Sequence, residues 1–242
     1  MTALHRQLSL VLLALLALPA CKGSQSLNLS DELNVKPDIN QRWKSDEIGP
    51  LINTLETESR EIYTERSAIA SVVGPKPGAV IADIGAGSGF MTHLFSLMVG
   101  DQGWVYAVDI NSTMLGHIAE GAKERGLKNI QTITCTQKSV ELPPSSVDIV
   151  FICDTYHHFE YPRNTLHSIY TALRPGGQLV LVDFKRVEGE TPEWIMNHVR
   201  AGRGVFTSEI EAAGFELTNQ HDLEALTDNY ILRFRKQADS AK

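Results

Sequence analysis

The stretch from Gly85 to Gly89, Gly-Ala-Gly-Ser-Gly, has the spacing that most directly predicts chemistry. It follows an apolar run at 79–83 and precedes an amphipathic run at 90–99, so it occupies a turn from strand to helix. A loop without side chains lets a ligand lie against the backbone, and the first N–H groups of the following helix can donate to it. Dinucleotide sites use G-x-G-x-x-G, whereas this loop reads G-x-G-x-G and has Phe90 in the place of the third glycine.

Two carboxylates end the predicted strands beside this loop. Asp83 ends the strand before the loop, and Asp109 ends the next strand, twenty residues after Gly89. A carboxylate at that second position can accept hydrogen bonds from both hydroxyls of a ribose. The alternative role for Asp109 is to cap the helix that begins near Ser112. The ribose role predicts a cofactor that contains a nucleoside.

Polar residues also follow the predicted strand 147–153, at the carboxyl edge where ligands bind in α/β sheets. An acceptor that must lose a proton benefits from a base with a pKa near neutrality, and Asp154, His157 and His158 are the candidates. The alternative is that one histidine packs and the other orders the loop, because adjacent residues in extended backbone point to opposite faces. We expect no metal site here, because adjacent histidines cannot readily turn toward one ion and no carboxylate or thiolate lies at ligand spacing.

Alternating elements position these groups. Strand-like runs at 79–83, 104–109, 130–134, 147–153 and 178–183 alternate with helical patterns at 51–74, 90–99, 112–125 and 163–173. A last helix near 207–213 and two further strand-like runs, 215–220 and 230–235, complete the chain. This alternation predicts an α/β fold with a parallel sheet and helices on both faces. With 242 residues, 43% of them hydrophobic, one such domain fits.

Residues 55–235 resemble the class I S-adenosylmethionine (SAM)-dependent methyltransferases, especially the small-molecule branch of methyltransferase type 11 near the quinone-biosynthesis C-methyltransferases. The resemblance rests on the glycine loop and on the stretches 103–109, 148–151 and 173–177. It implies a Rossmann-like, doubly wound, mostly parallel seven-stranded sheet with an antiparallel C-terminal strand, in a domain covering 51–242. It also implies SAM, S-adenosyl-L-methionine, as cofactor and a small molecule as methyl acceptor.

The resemblance assigns roles to individual residues. Asp83 and the glycine loop would hold the methionine part of SAM, and Asp109 the ribose. Many relatives have an adenine-binding Asp after the third strand, where this chain has Thr-Cys-Thr-Gln-Lys, so Gln137 and Thr136 are the candidates for adenine. The cofactor set expected in this way is Asp83, Gly85, Ala86, Gly87, Gly89, Asp109, Ile110 and Gln137.

On the acceptor side, the family's comparable histidine lies just past the fourth strand, which favours His158 over His157 as the base. Tyr63 and Tyr156 are the expected acceptor contacts, although a solvated pair with Arg66 is an equally simple role for Tyr63. The stretch with His198, Arg200 and Arg203 falls where the family often builds its acceptor pocket. A solvated charged surface is the alternative there.

The N-terminus predicts export. A short apolar run at 8–18 follows His5 and Arg6 and is too short to span a bilayer. Its end, Leu-Pro-Ala-Cys at 18–21, resembles a bacterial lipobox. We therefore expect a lipoprotein signal peptide at 1–20, a lipidated Cys21, a tether at 22–50, and a lipid-anchored protein in the bacterial cell envelope that faces the periplasm. If the signal is unused, the protein is cytoplasmic, where SAM is made.

Composition and spacing weigh against other classes. The net charge is −7 and no run of Lys or Arg could follow a phosphate backbone, so we expect no nucleic-acid partner. A protein of the same fold that binds SAM without turnover, or serves as a scaffold, is the main alternative to an enzyme. An NAD-dependent oxidoreductase is the weaker alternative, because its fingerprint is missing.

Overall fold

The structure is a computed structural model that describes residues 29–57 and 60–237. Seven strands form one sheet in the order β3-β2-β1-β4-β5-β7-β6. The strands are β1 (Val80–Ile84), β2 (Trp104–Asp109), β3 (Ile130–Thr134), β4 (Val147–Cys153), β5 (Leu173–Phe184), β6 (Phe215–His221) and β7 (Asn229–Lys236). The first five strands pair in parallel, and β7 runs antiparallel between β5 and β6. The predicted sheet is therefore confirmed, including its one antiparallel strand.

Apolar side chains cover both faces of this sheet. In β4, Val150 and Ile152 belong to one buried cluster, while Ile149 and Phe151 belong to the cluster on the other face. Strands buried on both faces are typical of parallel sheets with helices on each side. The strand order changes direction at β1, whose neighbours are β2 and β4. Ligands of α/β sheets bind in the crevice at the carboxyl edge beside such a switch point.

Eight α-helices accompany the sheet within the described residues. They are α1 (Gly49–Leu55), α2 (Glu61–Thr64), α3 (Arg66–Val73), α4 (Phe90–Val99), α5 (Ser112–Glu124), α6 (Pro162–Ala172), α7 (Glu193–His198) and α8 (Arg203–Ala212). The single helix expected over 51–74 is thus three short helices. Arg60 has an extended backbone conformation just before α2, and its side chain bonds to Asp154 across the crevice. The helical pattern is interrupted where this contact is made.

The described part of the predicted tether is docked on the domain. The carboxylate of Glu32 accepts hydrogen bonds from the backbone N–H groups of Arg163 (2.7 Å) and Asn164 (2.8 Å) at the start of α6. Lys36 donates to the carbonyl of His198 at 2.9 Å, and Asn40 to the carbonyl of His158 at 3.0 Å. Residues 29–50 are therefore held by polar contacts to the domain, which corrects the expectation of a tether there.

The predicted signal peptide and Cys21 lie outside the described residues. Within the described ranges, every helix is too short or too polar to cross a membrane.

Candidate active site

The glycine loop connects β1 to α4 at the crevice. Gly85, Gly87 and Gly89 all have positive φ, at 71°, 54° and 83°. A Cβ atom at Gly85 would collide with the side chain of Thr155, in the loop after β4. The N–H of Gly85 donates to the carbonyl of Val108 at 2.8 Å, which fixes the loop against β2. Backbone of this shape can lie directly against a ligand.

Asp109 braces this loop from the end of β2. Its Oδ2 accepts a hydrogen bond from the N–H of Gly87, and its Oδ1 accepts one from the N–H of Asn111, both at 2.9 Å. Burial raises the pKa of its carboxyl. The cap of α5 is Asn111, whose side chain accepts from Thr113 (2.9 Å) and Met114 (3.1 Å). Asp109 is therefore left to face the crevice, and the capping alternative does not apply to it.

Asp83 is buried at the end of β1. The hydroxyl of Thr92 donates to its Oδ2 at 2.6 Å. Burial raises the pKa of Asp83 from 3.8 to about 7, and the charge of Asp109 adds to the rise against the opposing effect of the Thr92 hydrogen bond. A carboxyl in this setting can stabilise a cationic group of a ligand once it is ionised.

The crevice is a cleft with an open volume of about 1080 Å³, part of it open to solvent. The structure brings most of the predicted site residues to its walls, namely Asp83, Gly85, Ala86, Gly87, Asp109, Ile110, Gln137, Asp154 and His158. Gly89 precedes α4 at the end of the loop and is not among the lining residues.

Sequence reasoning missed several walls of the cleft. Asn40 and Trp43 come from the docked N-terminal segment, Leu55 and Arg60 from the interrupted helical region, and Glu160 from the turn after β4. No periodic pattern marks the N-terminal residues. For Glu160 the available signal was its position two residues after His158, at the same sheet edge.

Glu160 organises the adenine side that the sequence analysis expected. Its buried carboxylate accepts hydrogen bonds from Gln137 (2.7 Å) and Asn40 (3.1 Å), and another from the amide of Asn34. The side chain of Gln137 is thus held in place at the cleft wall. Thr136 also lines the cleft, so both predicted adenine candidates remain in position.

Asp154 is occupied by an ion pair. Its Oδ2 lies 2.6 Å from Nη2 of Arg60, and its Oδ1 accepts from the amide of Asn229 at 2.5 Å. Burial raises the pKa of this carboxyl, and the positive charge of Arg60 opposes that rise. Asp154 also adopts a left-handed backbone conformation, with φ at 46°. The carboxylate therefore serves to hold α2 and β7 at the cleft, which argues against a role as a free base.

The two tyrosines expected to contact the acceptor lie behind the cleft wall. Tyr156 is fully buried, and its hydroxyl donates to Glu209 at 2.8 Å. Tyr63 packs edge-on against Phe90, with ring centroids 5.4 Å apart, and the guanidinium of Arg66 lies over its ring. Neither tyrosine is among the residues that line the cleft. Tyr156 is thus a core packing residue, and the half-buried Tyr63 packs against Phe90 and Arg66.

Of the cationic stretch after α7, Arg200 likewise belongs to the interior. Its Nη2 pairs with Oε2 of Glu209 at 2.6 Å, and its guanidinium packs over the ring of Phe206. Neither Arg200 nor Arg203 lines the cleft.

His158 lines the cleft, while His157 lies behind it. Nδ1 of His157 is 2.8 Å from Oδ1 of the fully buried Asp183. Burial, aided by the neighbouring His157 and His198, lowers the pKa of His158 to about 2. An imidazole with so low a pKa is a weak proton acceptor, so this arrangement argues against the predicted base role.

The backbone of the two histidines also differs from expectation. They occupy a 3₁₀ turn, Tyr156–His158, and their ring centroids are 4.4 Å apart. The sequence argument against a shared ion assumed extended backbone, in which the rings would diverge. In the turn both rings lie on the same side, so that premise is wrong.

Comparison with known proteins indicates which proteins share this fold and these residues. The family model described as "Methyltransferase domain" matches residues 82–181, which include the end of β1, the glycine loop, Asp109 and the turn after β4. This part of the chain thus matches a methyltransferase domain, and the fold is shared with solved SAM-dependent methyltransferases. The solved SAM-dependent methyltransferase from Aquifex aeolicus covers 77% of this chain with a TM-score of 0.68 at 24% identity, and 97% of that chain is matched.

Curated relatives match about half of the chain. A ubiquinone/menaquinone biosynthesis C-methyltransferase from Vibrio parahaemolyticus is 31% identical over 114 residues, which are 47% of this chain and 44% of the relative. The protein of the same name from Pseudoalteromonas translucida is 33% identical over 127 residues, 52% of this chain and 50% of the relative. The chain thus spans about half the length of these relatives. The cyclase SpnF shares the fold as well, with a TM-score of 0.66 at 17% identity over 86% of this chain and 97% of SpnF.

Proposed function

We propose that this protein transfers the methyl group of S-adenosyl-L-methionine to a small-molecule acceptor. The observation that carries the proposal is the arrangement at the carboxyl ends of β1 and β2. There Asp109 braces Gly87 through a 2.9 Å hydrogen bond and Asp83 lies buried beside the same cleft. The matched family model and the C-methyltransferase relatives support the same conclusion.

The cleft residues fit the parts of SAM. Gly85 to Gly87 offer bare backbone for the methionine part, with Asp83 near its positive charges. Asp109, Gln137 and Thr136 all line the cleft. In the proposed complex Asp109 would accept hydrogen bonds from the ribose hydroxyls, and Gln137 and Thr136 would contact the adenine. Methyl transfer is an in-line displacement: the acceptor atom bonds to the methyl carbon as the carbon–sulfur bond breaks and its electron pair stays on sulfur. Holding the two reactants in line supplies most of the rate.

Binding and transfer can be tested separately. Calorimetric titration of the purified protein with SAM and with S-adenosylhomocysteine should give dissociation constants in the micromolar range. Such constants correspond to a binding free energy of about −8 kcal/mol. NAD should bind far more weakly, and Asp109→Ala should weaken binding of both SAM and S-adenosylhomocysteine. Preferential binding of NAD would contradict the proposal.

For transfer, the protein is incubated with SAM labelled in its methyl group and a small-molecule extract of bacterial envelopes. Label should enter the extract with the wild type and not with Asp109→Ala. Tight SAM binding by a wild type that leaves every extract unlabelled would indicate a protein that binds SAM without methylating, the alternative named from the sequence.

We further propose that the protein is anchored in the bacterial envelope through a lipidated Cys21, facing the periplasm. The apolar run at 8–18 and the Leu-Pro-Ala-Cys ending support this location. Cys21→Ser should move the protein from the membrane fraction to the soluble fraction. Wild-type protein recovered from the cytosol with Met1 intact would contradict the anchor and leave the methyltransferase proposal unaffected.

A further inference from the structure

Three histidines form a compact cluster beside the cleft. His157 and His158 come from the turn after β4, and His198 is the last residue of α7. The ring centroid of His198 lies 5.0 Å from each of the other two. One ring nitrogen from each histidine can be chosen so that all three lie within 4.8 Å of one another. The fold thus brings two adjacent histidines together with a third that lies forty residues after His158 in the chain.

The closest pair already has the separation that a metal ion requires. Nε2 of His158 lies 3.3 Å from Nε2 of His198. Two nitrogens bound to a tetrahedral zinc at about 2.0–2.1 Å are themselves about 3.3–3.4 Å apart. A direct N–H···N hydrogen bond accounts for the same distance, so a second observation must distinguish the two arrangements.

Asp183 supplies that second observation. Oδ1 of this fully buried carboxylate lies 2.8 Å from Nδ1 of His157, and its Oδ2 accepts from the backbone N–H of His157 at 3.2 Å. Metal-binding histidines characteristically donate their other ring N–H to a carboxylate, which fixes the tautomer and orients the ring. With Nδ1 engaged in this way, Nε2 of His157 keeps its lone pair for an ion.

The local charges are compatible with a cation. Asp183 brings a carboxylate into direct contact with the cluster. The nearby ammonium of Lys36 opposes a cation, but it is bound by the carbonyls of His198 at 2.9 Å and Asn197 at 3.4 Å. The guanidinium of Arg42 also lies near His198 and opposes a cation. The neutral imidazole is the form that binds metals.

We propose that His157, His158 and His198 bind a divalent transition-metal cation such as Zn²⁺, with Asp183 as a positioning residue. Imidazole ligands favour zinc and its neighbours over Mg²⁺ and Ca²⁺, which prefer oxygen. Three protein ligands leave a fourth coordination position, as in catalytic zinc sites. Because His158 lines the cleft, a water or an oxygen or nitrogen donor of a bound molecule can reach that position. The site does not depend on the proposed methyl transfer.

The test uses the full chain without a histidine tag, freed of metal by dialysis against a chelator. Isothermal titration with Zn²⁺ should give one site per chain with a micromolar or tighter dissociation constant. His198→Ala should weaken binding at least 100-fold, and Asp183→Asn about 10- to 100-fold. His167→Ala is the matched control, since His167 is exposed on α6, and it should bind as the wild type does.

Co²⁺ provides a spectroscopic check, because histidines with a purely structural role would not give the visible absorption of bound Co²⁺. The wild type should give the visible absorption of four-coordinate Co²⁺, and His198→Ala should lose it while keeping its circular dichroism. His158→Ala serves as the second ligand variant and should lose the absorption too. Equal Zn²⁺ affinity in the wild type and His198→Ala, or equal loss in His167→Ala, would overturn the proposal.

Discussion

Replacing Asp83 by Asn should make the ligand-free protein more stable at neutral and alkaline pH. Burial at the end of β1 raises the pKa of Asp83 from 3.8 to about 7. A carboxyl whose pKa is raised by folding holds its proton more tightly in the native state than in the unfolded state. The free energy of unfolding therefore decreases as the pH rises from about 4 to about 7.

The size of the effect follows from the two pKa values. Each pKa unit corresponds to about 1.4 kcal/mol, so the stability contribution of protonated Asp83 is about 4 kcal/mol. It is fully present below about pH 4 and is lost above about pH 7. Asn stays neutral at every pH and can still accept the hydrogen bond from Thr92. The stability advantage of Asp83→Asn should therefore grow by about 3 kcal/mol between pH 5 and pH 8.

Urea unfolding followed by circular dichroism at pH 5, 6, 7 and 8 measures this difference. Asp101→Asn is the control, because Asp101 is exposed and its replacement should give a difference that does not change with pH. If the free energies of unfolding of wild type and Asp83→Asn run parallel across this range, the charge of Asp83 is not destabilised by burial. The variant should also bind S-adenosylhomocysteine more weakly, so that stability is gained where binding is lost.

Three further substitutions test other parts of the site. Gly87→Val should weaken S-adenosylhomocysteine binding at least 100-fold in calorimetry while the circular dichroism is kept, because the side chain would meet Leu55 at the cleft wall and a β-branched residue is strained at a φ of 54°; normal binding would show that the loop is not the site. Glu32→Ala should lower the free energy of unfolding by about 1 kcal/mol, since it removes a cap of α6, and no change would argue against docking of the N-terminal segment. Arg60→Leu should cost about 3 kcal/mol at pH 8 in urea unfolding, because it leaves the buried carboxylate of Asp154 unpaired; a loss within 0–1 kcal/mol would mean that the pair behaves as a surface pair.

The sheet and the glycine loop could be predicted because their signals are local. Alternating apolar runs mark each strand and helix, and the loop residues Gly85 to Gly89 are contiguous, so the chain itself places them between β1 and α4. The positions of Asp83 and Asp109 could be predicted for the same reason, because each residue lies at the end of a strand. Parallel pairing then brings those ends to one edge without further information.

The other residues that line the cleft could not be predicted, because contacts between distant parts of the chain position them. Glu160 reaches Asn40 and Gln137 through side-chain hydrogen bonds that have no periodic signature in the sequence. Tyr156 was predicted to contact the acceptor because it lies at the right sheet edge. Its ring instead packs against Phe206, and its hydroxyl donates to Glu209. The direction of a side chain within a loop is decided by such partners, which sequence spacing does not reveal.

The docked N-terminal segment changes what a lipid anchor at Cys21 would mean. A tether over 22–50 would let the domain move far from the membrane. Residues from Leu29 onward contact the domain, and Asn40 and Trp43 form part of the cleft. Seven residues then separate Cys21 from Leu29, and the link spans at most about 28 Å at full extension. If Cys21 is lipidated as proposed, this short link keeps the point where the segment meets α6 close to the membrane surface. An acceptor that partitions into the bilayer would then be within a short distance of the domain.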